Sequence, residues 1–353
     1  MTFNPQPSTL SPPIGVGIVG LGFMAATHVK AYRQIDGHRI AAICNPSGRN
    51  LDGDFSRVGG NTGTTEPLQL DMTQVATYRS FPAMLADPAV HLVDICSPTH
   101  THRELALAAL ATGKHVLCEK PLARTTREAR DIVEAAARAE TLLMPAMCLR
   151  FWPEWVWVKK AIAEEPYGQC QAAQFRRVAE PPGWGGKFFF DGKLSGGALL
   201  DLHIHDTDFV QFCFGYPRSV FSTGFSKVSG AIDHVLTQYQ VAGGAAVSAE
   251  GSWAMTEGFG FHMAYTVVFE GATADYDIAR GPDALKLFAK GKAPQILKPG
   301  GKDGYVGELQ YMLECIRAGK NPDVVTAQHG ASAVAICEAE ERSVKSGQIV
   351  SLE

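Results

Sequence analysis

Between residue 14 and about residue 147, short β-branched apolar runs alternate with stretches whose apolar positions recur at helical spacing. That rhythm predicts parallel βαβ units. Strands are expected at 14–19, 39–44, 91–96, 115–118 and 142–146, with helices at about 24–34, 100–112 and 126–139. Past Phe151 the pattern changes to a Trp-rich helix over 153–163 and a strand over 169–178. Next comes Gly196 to Asp208, reading GGALLDLHIHDTD, whose apolar run extends to Gly215 and reads as a helix. Four or five strands then follow in series between about 220 and 279, separated by glycine turns rather than helices, which predicts antiparallel pairing. Helices near 304–318 and 326–345 end the pattern. The connection over 46–75, rich in Gly, Asn, Thr and Asp, is unusually long for a βα fold.

Composition narrows the functional classes. A chain of 353 residues, 46% of them hydrophobic, is long enough for two sizeable cores. The expected division is a disordered leader over 1–13, where four prolines fall among polar residues, then domains over 14–147 and 148–353. A formal charge of −4 without a basic block offers nothing to nucleic acid. No apolar segment approaches the roughly 18–20 residues that cross a bilayer, and the start of the chain lacks a basic region followed by an apolar core. Eight cysteines (44, 96, 118, 148, 170, 213, 315 and 337) are scattered with no C-x-x-C pair. They read as reduced core thiols of a cytoplasmic protein.

The first strand ends in Gly20-Leu21-Gly22-Phe23-Met24-Ala25. Glycines here let the backbone turn tightly and let a pyrophosphate approach main-chain N–H groups, and the helix N-terminus that follows attracts the anion. A dinucleotide is therefore the expected cofactor. The second strand ends in Cys44-Asn45-Pro46-Ser47-Gly48-Arg49, where NAD-binding chains usually place an acid on the adenine ribose. Asn45 can still bond a ribose hydroxyl without repelling a 2′-phosphate, and Ser47 and Arg49 can bind one. NADP is thus expected slightly ahead of NAD.

Two further motifs carry chemistry. Lys120, in Glu119-Lys120-Pro121, follows an apolar strand and falls where ligands of open α/β sheets bind. In the 196–208 segment, helical spacing puts Asp201, His205 and Asp208 on one face. His205 is a candidate general base, Asp201 a partner for substrate or Lys120, and Asp208 an orienting group for the imidazole. On a strand, Asp201, His203 and His205 would instead share a face as metal ligands do. The length of the apolar run favours the helix, and no metal is expected.

GLGFMA, CSPTHTH (Cys96 to His102), CEKPLA (Cys118 to Ala123), LRFWP (Leu149 to Pro153) and the GGALLDLHIHDTD segment, in this order, resemble the glucose-fructose oxidoreductase / inositol dehydrogenase / rhizopine-catabolism (Gfo/Idh/MocA) family from Ile14 onward. The resemblance implies a doubly wound Rossmann domain followed by an α+β domain on an open, mainly antiparallel sheet that packs against a partner subunit in a homodimer or homotetramer. It also implies hydride transfer between NAD(P) and a sugar or polyol hydroxyl. Carried over by motif, Gly20, Gly22, Phe23, Met24, Ser97, Pro98, Thr99, His100 and Glu119 border the cofactor with Arg150 nearby, while Lys120, Asp201 and His205 line the nicotinamide. Arg176, Arg177, Trp184 and Lys187, on the strand and loop before the catalytic helix, are candidate sugar contacts. The chain departs from the pattern in the missing acid at position 45, in Thr99 where Asn is commoner, in His203 where a small residue is common, and in the long 46–75 loop. Two other activities stay open: a glycosidase that holds its dinucleotide permanently and eliminates a substituent, and a non-catalytic dinucleotide sensor.

Overall fold

The computed structural model describes residues 12–60 and 68–352, with the Trp184 side chain also outside the description. The expected leader therefore lies outside the described residues through position 11. Two sheets organise the chain. The first contains β1 (Ile14–Val19), β2 (His38–Cys44), β3 (Ala76–Tyr78), β4 (Leu92–Ile95), β5 (His115–Glu119) and β6 (Leu143–Ala146). Its strands are parallel in the order β3-β2-β1-β4-β5-β6, a doubly wound sheet with its switch point between β1 and β4. All six residues of β1 are buried, as a central strand covered on both faces requires. Its connections carry α1 (Phe23–Tyr32), α2 (Phe81–Leu85), α3 (His102–Ala111) and α4 (Thr126–Arg138). Thr125 and Glu128 close a capping box at the start of α4.

After α5 (Pro153–Glu164), β7 (Cys170–Ala179) opens the second sheet, and α6 (Gly192–Ser195) and α7 (Ile204–Phe214) precede β8 (Ser219–Phe225). The remaining strands are β9 (His234–Gln240), β10 (Ala246–Ser252), β11 (Phe261–Phe269), β12 (Ala272–Asp277), β13 (Leu285–Ala289), β14 (Gln295–Leu297) and β15 (Val350–Ser351). They pair in the order β14-β13-β12-β11-β7-β10-β9-β8-β15, antiparallel throughout except for β7 with β10. One face packs on α5 and α7 around Trp155, which is fully buried and meets Phe209 and Tyr265 edge-on at ring distances of 4.8 and 5.2 Å. The other face is open. There Phe221, Phe225, Leu236 and Phe288 are exposed, among surface ion pairs such as Arg176 with Glu250.

The closing helices α8 (Gly304–Ala318) and α9 (Ala327–Ser346) return to the first sheet. Leu309, Met312 and Val334 share one buried cluster with Val16 and Ile18. This holds the two sheets in a fixed relation, with the carboxyl ends of β1, β4 and β5 facing the start of α7. Among the described residues no helix is long and apolar enough to cross a membrane, and all eight cysteines are unpaired.

Candidate active site

A cavity of about 760 Å³ runs from the β1–α1 turn to the second sheet. That is within the usual range for a cofactor or ligand pocket. At Gly20 φ is +86°, and a Cβ would stand 2.5 Å from the Ser97 backbone, so only glycine fits. At Gly22 a Cβ would meet nothing within 4 Å: this residue is the N-cap of α1, carries no capping side chain and borders the cavity. An uncapped N-terminus, with no acidic residue in its first turn, fits an incoming pyrophosphate. Phe23, Met24, Asn45, Ser47 and Arg49 line this end. The Asn45 Oδ1 atom accepts from the Ser47 amide and hydroxyl, and its Nδ2 donates to the Arg49 carbonyl, building a tight turn with no carboxylate in it.

Part of the long loop folds over the same end. Asn50 Nδ2 donates to the Leu21 carbonyl at 2.8 Å, Phe55 and Leu68 enter the core, and Arg57, Val58 and Gly59 line the cavity. Residues 61–67 of the loop lie outside the described residues.

At the other end, β5 delivers Lys120 to the cavity wall. Its Nζ donates to the Asp201 carbonyl at 2.6 Å and stands 3.3 Å from the Asp201 carboxylate. The segment carrying Asp201 starts from two glycines with positive φ, Gly196 and Gly197, and makes one π-helical turn, Leu199–His203, before α7. Such turns are rare and recur at functional sites. Here it presents a carbonyl to the lysine and carries Asp201 and His205 into the same cavity. Burial, then the Lys120 and Arg177 charges, hold the His205 imidazole well below its ordinary pKa, so it is neutral at neutral pH. Its Nδ1 is enclosed with no hydrogen-bond partner among the described residues.

Residues 14–147 match the model of an oxidoreductase family with an NAD-binding Rossmann fold, Gfo/Idh/MocA, and residues 155–275 match the C-terminal domain of that family. The chain belongs to the Gfo/Idh/MocA oxidoreductase family. It is 27% identical over 350 residues to inositol 2-dehydrogenase 4 of Saccharopolyspora erythraea, covering 94% of each chain. It is 24% identical over 363 residues to myo-inositol 2-dehydrogenase of Thermotoga maritima, covering 96% of this chain and 98% of the relative. A solved levoglucosan dehydrogenase in complex with NADH and levoglucosan shares the fold, with a TM-score of 0.82 at 20% identity over 96% of this chain and 99% of that one.

Within this Gfo/Idh/MocA chain, Ser97, Pro98, Thr99 and Glu119 also border the cavity. Several expected site residues do not. His100 is exposed and packs its ring 6.0 Å from Phe188, whereas His102 is the buried histidine, bridging the Ser97 and Pro121 carbonyls at 2.8 Å each. Arg176 points to the open sheet face and pairs with Glu250 at 2.8 Å, because adjacent strand residues face opposite ways. Its neighbour Arg177 faces inward, bound to Asp206 at 2.9 Å. Lys187 is exposed away from the cavity, and the Trp184 side chain is outside the described residues. His203 bonds the Tyr239 hydroxyl at 3.1 Å beneath the helix, which leaves no shared face with Asp201 and His205.

Asp208 does not orient His205. An offset of three residues turns it about 60° round the helix, toward Arg150, which it meets at 2.7 and 2.8 Å. Arg150 also donates to the Val324 carbonyl and is 2% exposed, so it ties α7 to α9 rather than bordering the cavity. Asp208→Ala leaves this arginine buried without its counter-charge. A loss of about 3–5 kcal/mol in unfolding free energy is expected, read by urea denaturation.

Beneath Glu119 is a charged cluster that no sequence motif announces. His28 stands 2.9 Å from Asp94 on one side and 3.0 Å from Glu119 on the other, and buried Glu308, 3.9 Å from the same imidazole, has no hydrogen-bond partner for its carboxylate among the described residues. Burial disfavours the His28 cation, but Asp94 and then Cys96 outweigh it and raise its pKa well above the ordinary value. Burial, then the Glu119 charge, raise Glu308 well above the carboxylate range, so Glu308 is neutral in the folded chain. As pH rises past about 4.5 the unfolded chain loses this proton while the folded chain keeps it, and stability falls. Glu308→Gln removes that linkage. Relative to wild type, its unfolding free energy is expected to rise with pH above about 4.5, by at most about 1.4 kcal/mol per unit.

Proposed function

We propose that this oxidoreductase oxidises or reduces a secondary hydroxyl of a sugar, polyol or related cyclic alcohol. Residues 14–147 would bind NADP or NAD, and residues 148–353 would bind substrate and a second copy of the chain. The observation that carries the reading is the convergence of Lys120, Asp201 and a neutral His205 on one cavity that begins at an uncapped glycine turn. The named activities of the inositol and levoglucosan dehydrogenases support the substrate class.

A bound oxidised nicotinamide supplies the two-electron acceptor for the hydride of the carbinol carbon. His205 takes the hydroxyl proton as that C–H bond breaks, leaving a carbonyl, and Lys120 donates a hydrogen bond to the oxygen as its charge grows. Asp201 holds the ammonium in place. In reduction the same groups act in reverse. The exposed apolar face of the second sheet supports a homodimer or homotetramer.

For the dinucleotide we propose NADP ahead of NAD. Asn45 rather than a carboxylate follows β2, and Ser47, Arg49 and Arg57, which line the same cavity, are the residues that would bind a 2′-phosphate. Arg49→Ala is expected to raise the NADP dissociation constant about tenfold or more and to leave that of NAD within about twofold. Equal effects on both cofactors, by fluorescence titration, would remove the preference. The activity itself is tested by stripping bound nucleotide and following reduced-nicotinamide absorbance with a panel of polyols and aldoses. Reduction with at least one pair is expected, and silence across the panel counts against the reading.

A further inference from the structure

Beyond Asp201 and His205 the cavity continues between the end of β7, the short helical stretch Gly183–Phe188 and the start of β11. Three described polar side chains at this end each have a partner in the protein. Arg177 is committed to Asp206, Glu180 accepts from the Gly258 amide at 2.7 Å, and the Trp253 indole N–H donates to Asp233 at 2.7 Å. Among the described residues, most of the wall here is hydrocarbon: Phe188, Phe189, Phe261, Met263, Ile278 and the Trp253 ring. Phe189 meets Phe188 and Trp253 edge-on, at ring distances of 5.1 and 5.8 Å, so these rings form one wall.

A polyol with a hydroxyl on every carbon would place several of them against this hydrocarbon wall, at the cost of their hydration. We infer that this end is a subsite for an apolar substituent, and that the substrate is a glycoside or sugar ether bearing an aryl or alkyl group. Its reacting hydroxyl sits at Lys120 and His205, and its apolar group lies against Phe188, Phe189 and Phe261. The inference rests on the hydride-transfer reading for the sugar and adds to it what the sugar carries.

The test compares matched probes on the cofactor-loaded protein: free glucose, galactose and mannose, their methyl glycosides and their phenyl glycosides. Steady-state kcat/KM and calorimetric dissociation constants are measured for each. Phenyl over methyl is expected to be favoured by about tenfold or more, and the ratio should collapse toward one in Phe189→Ala and in Phe261→Ala. Because the ratio is internal to each variant, partial loss of folded protein does not disturb it. Equal values for phenyl and methyl, or turnover of free sugars alone, would overturn the subsite and leave hydride transfer standing. Tighter binding of phenyl glycosides without cofactor reduction by any probe would support the subsite and overturn the hydride-transfer reading. Neither binding nor turnover would overturn both.

Discussion

In His205→Ala, kcat is expected to fall by about 10²–10⁴-fold, the contribution of a positioned general acid/base. Dinucleotide affinity should persist, because the glycine turn that would hold the pyrophosphate is built from β1, α1 and Ser97. Steady-state cofactor reduction and fluorescence titration read the two quantities separately. The wild-type pH profile follows from the same imidazole. Burial, Lys120 and Arg177 all disfavour its cation, so the neutral base dominates through the neutral range. For alcohol oxidation, kcat/KM should therefore be level near neutrality and decline only below the ordinary histidine value of about 6.5. Near-native turnover in the alanine variant would remove His205 from the chemistry.

Lys120→Ala is the second large effect. Loss of a charged donor to the reacting oxygen is expected to lower kcat by about 10²–10³-fold. A readout specific to the charge accompanies it: with the ammonium gone, one cause of the depressed His205 pKa disappears, and the acid limb of the residual activity should move to higher pH. Lys120→Arg is not expected to restore the rate, since a planar guanidinium does not reproduce the compact contact with the Asp201 carbonyl and carboxylate. An unchanged acid limb in Lys120→Ala would separate the lysine from the histidine.

Much of the fold follows from hydrophobic period alone. The expected strands of the first sheet differ from the observed ones by a residue or two, because long buried runs such as 14–19 and 115–119 have few alternatives. The elements not foreseen are short. Among them, β3, α2, β13 and β14 have between three and five residues each and are set by neighbours distant in sequence rather than by their own pattern.

At the site, the glycine turn, Lys120 and the Asp201–His205 pair were legible because local spacing fixes their geometry. Other features depend on partners far along the chain. Of two adjacent arginines on β7, only one can face the cavity, and the pairing register with β10 and β11 decides for Arg177. Asp208 belongs to Arg150, 58 residues earlier. His102 rather than His100 fastens the Ser97 segment to Pro121, a difference set by where the helix begins. The apolar wall of Phe189, Trp253 and Phe261 joins a loop to the ends of two strands, and no periodicity connects those three positions.

The central claim is that a carbinol carbon of the substrate gives its hydride to the nicotinamide while His205 takes the proton. The most direct test uses a substrate from the panel that carries deuterium on the reacting carbon, with recovery of the cofactor after turnover and its analysis by mass spectrometry. The account predicts one deuterium in the reduced nicotinamide for each carbonyl formed. Product appearing with no net cofactor reduction, or reduced cofactor free of deuterium, would contradict it.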